Sequence, residues 1–127
     1  MTAPNDRGKT LLAVTNALVS LHREHYGRGA TRGRTIMQGD YLVCFLEDIY
    51  TKAERTLIEA GRFVEVVRAR NAFQDAMEAP FRQAVEELTG RRVTGFLSQV
   101  GVDPDIGIEA FWLEPDGQGS DATATSR

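Results

Sequence analysis

The residues best suited to bind an anion occupy one short stretch of the chain. Residues 27–34 contain three glycines and three arginines and no acidic residue. Glycine lets the backbone approach a ligand closely, and arginine carries a permanent charge and a forked donor set that suits carboxylate or phosphate. The stretch therefore predicts a site for a small anion or an acidic partner, formed by Gly27, Arg28, Gly29, Arg32, Gly33 and Arg34. The alternative interpretation is an ordinary mobile connection whose charges are solvated.

Motifs for nucleotide binding and for nucleophilic catalysis do not appear in the sequence. The glycines of residues 27–34 lack the Gly-Lys-Ser/Thr of a P-loop, and they follow an expected helix rather than a strand. No serine stands in the Gly-x-Ser-x-Gly setting of a hydrolase nucleophile. The acidic pair Glu47–Asp48 shows no spacing that would set two carboxylates to acid–base work, and it fits turn and cap roles. We therefore expect no catalytic residues.

Candidate metal ligands are few. His22 and His25 are three residues apart, which is a spacing that metal ligands use on a helix, but a third ligand would be needed. Cys44 is the single cysteine and lies in an apolar segment, where a cysteine usually behaves as a small buried hydrophobe. We expect neither a bound metal nor a cofactor.

Arg70 falls on the apolar side of a long expected helix. A buried arginine needs a carboxylate partner, because an unpaired buried charge is costly. Glu47 or Asp48, at the end of the second expected strand, is the partner that we expect for a buried ion pair. The alternative is an arginine whose stem packs against apolar neighbours while its charged head reaches solvent.

Hydrophobic periodicity and capping signals place these residues on seven elements. Apolar residues at three- and four-residue steps predict a helix over 9–26 with a buried stripe that ends at His25. Thr51–Glu54 is a capping box that begins a short helix. A longer stripe predicts a helix over 62–89, kinked or broken near Pro80. Alternating or continuously apolar segments predict four strands, over 34–38, 41–48, 92–100 and 106–113.

These elements predict an α+β fold in the order α-β-β-α-α-β-β, with a four-stranded, mainly antiparallel sheet and the helices packed on one face. Gly39–Asp40 is a two-residue hairpin signal between the first two strands. A helix, a Gly-Arg turn and a hairpin occur near both ends of this order, at Gly27–Arg28 and again at Gly90–Arg91. The fold is therefore expected to contain two similar halves.

Length and composition set the limits of the domain. The chain has 127 residues, the size of one domain; we expect a disordered leader over 1–8, a folded domain over 9–114 and a disordered tail over 115–127. A net charge of −3 argues against a dedicated nucleic-acid binder. No apolar run approaches the ~20 residues that span a bilayer, and a lone cysteine fits a reducing cytoplasm. We expect a cytoplasmic protein that reaches the inner membrane only through a partner.

The second expected strand indicates how the protein assembles. Residues 41–46 are almost continuously apolar, so both faces of this strand need a cover. Helices supply one cover, and Phe96, Phe111 and Trp112 add apolar surface that a single helical layer does not bury. We therefore expect a homodimer, the commonest closed assembly.

Several motifs, in order, resemble the MpsC family, a small bacterial family once known only as a domain of unknown function. The resemblance covers about residues 11–113, although the proline that usually follows the glycines of the first loop is replaced by Ala30–Thr31. The motifs are Gly27-Arg28-Gly29, LEDIYTKAERTL at 46–57, VRARNAF at 67–73 and LTGRRV at 88–93.

The resemblance implies a soluble accessory protein, because the family is named for the third component of a sodium-translocating system that generates membrane potential. It implies a link to cation or inorganic-carbon transport and brings no agreed catalytic residues. Three classes of function follow. The first is an accessory subunit of a membrane cation-translocating system, and the second is a stand-alone module that senses a small anion or nucleotide through residues 27–34. The third, an enzyme, has no supporting group of residues.

Overall fold

A computed structural model describes residues 4–28 and 30–115. In these residues the chain forms three helices and four strands in the expected order, which confirms the α+β prediction. The elements are α1 (Pro4–Tyr26), β1 (Arg32–Gln38), β2 (Tyr41–Glu47), α2 (Lys52–Glu59), α3 (Phe63–Thr89), β3 (Val93–Val102) and β4 (Asp105–Leu113).

Two helix boundaries differ from the sequence prediction. Helix α1 begins at Pro4 rather than at Lys9, so residues 4–8 are helical and do not belong to an irregular leader. Proline suits the first turn of a helix, where its missing N–H would have no partner. A kink or a break was expected near Pro80; helix α3 runs from Phe63 to Thr89 without a break there, so the break is wrong. Residues 1–3 and nearly all of the expected tail, 116–127, lie outside the described residues.

The four strands form one antiparallel sheet in the order β1-β2-β4-β3. The expected hairpin turn at Gly39–Asp40 is confirmed, since Gln38 pairs with Tyr41 across it and Gly39 has a φ of 59°, which a glycine adopts without strain. At the centre of the sheet β2 and β4 pair over seven residues, from Tyr41 opposite Trp112 to Glu47 opposite Ile106. This central pairing joins the N-terminal and C-terminal halves of the chain.

The helices cover one face of the sheet, and the main core lies beneath them. Leu42, Cys44 and Leu46 alternate along β2 and are fully buried, in a cluster with Leu18 of α1 and Val85 of α3. The intervening β2 side chains are only partly covered. The alternation shows that β2 is packed on one face and open on the other.

The buried stripe of α1 continues through His22 rather than His25. Val14, Leu18 and His22 follow one another at four-residue steps and are 1%, 0% and 3% exposed, whereas His25 is exposed. Gly33 of β1 lets α1 approach the sheet, because a Cβ there would lie 2.8 Å from Cγ2 of Thr15. Gly33 therefore serves helix–sheet packing.

Candidate functional site

Arg70 of α3 is the largest fully buried side chain among the described residues, with 1% of its surface exposed. Its guanidinium binds Glu54 through two contacts of 2.6 Å, from Nε to Oε2 and from Nη2 to Oε1. Nη2 also donates to the carbonyl of Ile49 at 2.9 Å. The ring of Tyr26 lies 4.0 Å from the guanidinium carbon, within the range of a cation–π contact. Arg70 is thus held by hydrogen-bond acceptors, by an opposite charge and by an aromatic face.

Glu54, not Glu47 or Asp48, is the carboxylate that pairs with Arg70. This partner was missed because the sequence assigned the Glu54 carboxylate to the capping box alone. The capping box is present, with Thr51 Oγ1 accepting from the Glu54 N–H and the Thr51 N–H donating to Glu54 Oε1 at 2.8 Å. A carboxylate accepts several hydrogen bonds, so Glu54 caps α2 and binds Arg70 together. Burial raises the pKa of Glu54, but the hydrogen bonds from Arg70 and Thr51 and the charge of Arg70 together outweigh burial and lower that pKa.

His22 completes this group, and its partners fix its protonation. Nη1 of Arg70 lies 3.0 Å from His22 Nε2, and His22 Nδ1 lies 3.3 Å from the carbonyl of Arg28. Arginine only donates and a carbonyl only accepts, so Nε2 is an acceptor, Nδ1 carries the proton and the ring is neutral. Burial and the charge of Arg70 lower the pKa of His22 to about 4. We call Arg70, Glu54 and His22 the Arg70 network.

Arg28, one of the candidate anion-binding residues, is held by its own set of charges. Its guanidinium pairs with Asp48 and donates to the carbonyl of Tyr50 at 3.1 Å. Asp48 also pairs with Arg55, whose Nη2 lies 2.9 Å from Asp105 Oδ2. We call these four residues the Asp48 cluster. Partial burial raises the pKa of Asp48, but the hydrogen bond and charge of Arg28, with smaller effects of Thr31 and Arg55, together outweigh burial and lower that pKa.

The residues of the Gly-Arg stretch do not converge on one site. Gly27 has a φ of 77° and its N–H bonds to the Arg23 carbonyl at 2.8 Å, so it ends α1. Gly29 lies outside the described residues. Arg32 is exposed, with Nε 3.7 Å from Glu47 Oε1, and Arg34 is exposed two residues further along β1. Two arginines therefore line the edge of the sheet, while Arg28 points to Asp48.

The second face of the sheet is apolar and no described element covers it. Its exposed members include Leu97 at 63%, Tyr41 at 50%, Ile36 at 43% and Trp112 at 38%. Strand pairing places them on one surface, since Ile36 lies opposite Val43 and Tyr41 opposite Trp112. We call this surface the open face; it comprises Ile36, Tyr41, Val43, Phe45, Leu97, Ile106, Ile108, Ala110 and Trp112.

The candidate metal ligands are separated in the structure. His22 belongs to the Arg70 network, His25 is exposed in the last turn of α1, and Cys44 is buried in β2. Burial raises the pKa of the Cys44 thiol to about 11, which keeps it protonated and unreactive at neutral pH. Across residues 4–28 and 30–115 there is no group of three ligating side chains that would hold a metal ion.

Arg91 is a further structural residue, whose contacts the sequence did not predict. It follows Gly90, which ends α3 with a φ of 72°, just as Arg28 follows Gly27. Arg91 pairs with Asp40, and its Nε donates to the carbonyl of Glu114 at 3.0 Å. The repeated Gly-Arg order was the available signal, because in both halves the arginine after the glycine binds an aspartate and a backbone carbonyl.

Fold and surfaces together define a small α+β protein whose sheet is packed by helices on one face and open on the other. Residues 6–115 match the family model described as the Na+-translocating membrane potential-generating system (MpsC), and the chain belongs to this family. The family name links it to a membrane system that moves Na+ and generates a membrane potential. No curated protein and no solved structure gives a significant match. None of the described helices has the length and apolar character needed to cross a bilayer.

Proposed function

We propose that this protein is a non-catalytic accessory subunit of a Na+-translocating, membrane potential-generating system and acts as a homodimer. The observation that supports this proposal is the exposed apolar surface of the open face. Four of its large side chains are 38–63% exposed, and a contiguous apolar patch on a protein surface is typical of an interface. Complete burial of an exposed side chain of this size stabilises an interface by roughly 1.5–3 kcal/mol. A side chain that is already partly covered contributes proportionately less.

A second copy of the chain is the occupant that fits the open face best. The face carries no charged side chain at its centre, so two copies can meet there without burying an unpaired charge. Its one charged corner holds both signs, with Arg32 and Arg34 beside Glu47. Contact between identical surfaces requires such self-complementarity. The charged corner then lies at the rim of the interface, where polar residues are usual.

The single tryptophan of the chain makes this interface directly observable. Trp112 lies on the open face with its ring 6.2 Å from that of Tyr41, and the sequence has no other tryptophan. If two copies cover the face, light scattering at micromolar concentration gives about twice the chain mass of 14.0 kDa. Dilution below the dissociation constant then shifts the Trp112 emission to longer wavelength as the indole meets water.

Leu97→Glu tests the interface, because it places a charge at the most exposed apolar position of the open face. We expect this variant to have the mass of one chain at concentrations at which the wild type is a dimer. The matched control is Val64→Glu, since Val64 is 67% exposed on α3, away from the sheet. A wild-type mass of about 14 kDa across micromolar concentrations, or a Leu97→Glu dimer as stable as that of Val64→Glu, would contradict the proposal.

We propose that the basic edge of β1, Arg32 and Arg34, contacts an acidic patch on a membrane subunit of the system. Arg32→Gln/Arg34→Gln should weaken co-purification with the detergent-solubilised membrane subunits and lower the membrane potential of cells that depend on the variant. Binding should also weaken as salt rises, because exposed charges are screened within about 8 Å at physiological ionic strength. Arg28 is left unchanged because it belongs to the Asp48 cluster, and its loss would disturb the fold.

The matched control for the basic edge is Arg23→Gln/Arg68→Gln. Both residues are exposed on the helical side, so the control makes the same change in net charge at a different surface. We expect the control to co-purify with the membrane subunits and to support the membrane potential as well as the wild type. If Arg32→Gln/Arg34→Gln co-purifies with the membrane subunits and supports the membrane potential as well as this control does, β1 is not the contact.

A further inference from the structure

A small cavity lies beneath the helices, between α1, α3 and the covered face of the sheet. Its volume of about 10 Å³ is close to what one water molecule needs. The cavity touches the Arg70 network through His22 and Arg70. Its polar lining consists of His22, Tyr26, Arg70, Gln74, Ser98 and Glu109.

Glu109 is the unusual member of this lining. It lies in the middle of β4, between Cys44 of β2 and Ser98 of β3, and is 5% exposed. Its Oε1 has no hydrogen-bond partner among the described residues. A buried carboxylate in that state loses its hydration without compensation, so the arrangement needs a positive charge or a proton at this oxygen.

The groups that line the cavity with Glu109 do not supply a positive charge that could neutralise its carboxylate. The positive charge of Arg70 is already matched by Glu54, at 2.6 Å, and His22 is neutral because of its two hydrogen-bond partners. Tyr26 of α1 and Cys44 of β2 are also neutral, since burial raises the pKa of both groups. Gln74 and Ser98 carry no charge. An ionised Glu109 would therefore be the one unbalanced charge of this cavity.

We propose that Glu109 and this cavity form a buried proton-binding site, in which the side chain is a neutral carboxylic acid that the fold holds protonated. The proton comes from solvent and returns to it, and no other bond changes. Ser98, the cross-strand neighbour of Glu109, has a hydroxyl oxygen that can accept a hydrogen bond from the O–H of the protonated acid. A metal ion is a poor occupant, because the remaining lining is mostly apolar and the guanidinium of Arg70 repels a cation.

Titration of this site makes folding depend on pH in the neutral range. Burial raises the pKa of Glu109 to about 7, from 4.5 in an unfolded chain, against smaller opposing effects of Ser98 and Arg70. Between these values the folded state holds a proton that the unfolded state releases. The stabilisation is therefore complete below pH 4.5 and is lost as the pH rises through 7. The substitution Glu109→Gln replaces the titrating carboxyl with an uncharged amide and should therefore remove this dependence of stability on pH.

The test compares urea denaturation of the wild type, Glu109→Gln and Glu59→Gln from pH 6 to pH 8. Glu59 is an exposed carboxylate at the end of α2, so its variant makes the same charge change at the surface. We expect the free energy of unfolding to fall with pH in the wild type and in Glu59→Gln more steeply than in Glu109→Gln, in which the titrating group is absent. Equal slopes in all three proteins would overturn the proposal.

A direct titration keeps the proposal testable if Glu109→Gln does not fold. Carbon-13 NMR of the wild type follows each glutamate carboxyl carbon as the pH changes, and through-bond assignment identifies Glu109. We expect its midpoint near pH 7, well above the ordinary range of a glutamate. A Glu109 midpoint in that same ordinary range would show that the carboxyl is ionised in the folded protein, which contradicts a proton-binding site.

Discussion

At the scale of single residues, the interior depends on a few polar groups that each bind two or more partners. Arg70 donates to Glu54, Ile49 and His22. Glu54 also accepts a hydrogen bond from the backbone N–H of Thr51, the N-cap residue of α2. Lysine has one charged nitrogen without the planar fork of arginine, so it cannot reproduce this pattern. The Arg70 network therefore joins α1, α2 and α3 at one point.

Arg70→Met should lower the free energy of unfolding by about 3–5 kcal/mol, because it leaves the carboxylate of Glu54 buried without its counter-charge. The side chain of Glu54 is 16% exposed, so solvent compensates little of the loss. Arg70→Met/Glu54→Gln should lose less, since glutamine keeps the cap and removes the unpaired charge. Denaturant titration measures both, with exposed Arg68→Met as the control. A double variant less stable than Arg70→Met would refute this account.

His22 makes the protein sensitive to acid. Its pKa is about 4 in the folded state and 6.5 in an unfolded chain, so the unfolded state takes up a proton first as the pH falls. The stabilisation by neutral His22 is present above pH 6.5 and is lost towards pH 4, by about 3 kcal/mol in total. His22→Gln should remove this loss, because an amide both accepts and donates. Unfolding free energies of the two proteins at pH 6.5 and pH 4.5 test the difference, and equal losses would exclude His22 as the cause.

At the scale of elements, short sequence motifs predicted most ends of the helices and strands, whereas packing overrode the predicted break of α3. The capping box at Thr51, the left-handed Gly90 and the Gly39–Asp40 turn were each readable from a few neighbouring residues. Pro80 predicted a kink or a break in α3. The helix is not broken, and Met77 and Phe81 on either side of Pro80 are 3% and 2% exposed. Burial of these two side chains against the sheet keeps the helix continuous despite the lost hydrogen bond.

Pro80→Ala should therefore stabilise the protein. Alanine restores the N–H that a proline lacks and removes the clash with the carbonyl four residues earlier, which together are worth about 3 kcal/mol in a helix interior. The greater freedom of the unfolded chain offsets part of this gain, by about 0.4–1 kcal/mol. Thermal unfolding should show a higher midpoint for Pro80→Ala and a lower one for the control Ala79→Gly. A lower midpoint for Pro80→Ala would mean that the helix is shaped around the proline.

At the scale of the whole molecule, the sequence predicted the fold better than the site. Helix and strand order depend on periodicity and caps within short windows, and these were visible. The partners of Arg70 lie 16 and 48 residues away, and no local pattern selects Glu54 over Asp48 or His22 over His25. The Gly-Arg stretch looked like one site because its arginines are close in sequence. Arg32 and Arg34 do lie on the same face of β1, but Arg28, which follows the turn at Gly27, is directed to Asp48 instead.

The strand order β1-β2-β4-β3 has a consequence for how the chain can be divided. Each half, α1-β1-β2 and α3-β3-β4, is a helix followed by a hairpin, and the antiparallel β2–β4 seam relates the halves by an approximate two-fold rotation. The molecule thus resembles a dimer of half-size subunits joined by a tether that contains α2. A cut at Gly61, just after that helix, breaks no strand pairing, so the two fragments should reassemble when mixed, as in a split-reporter design.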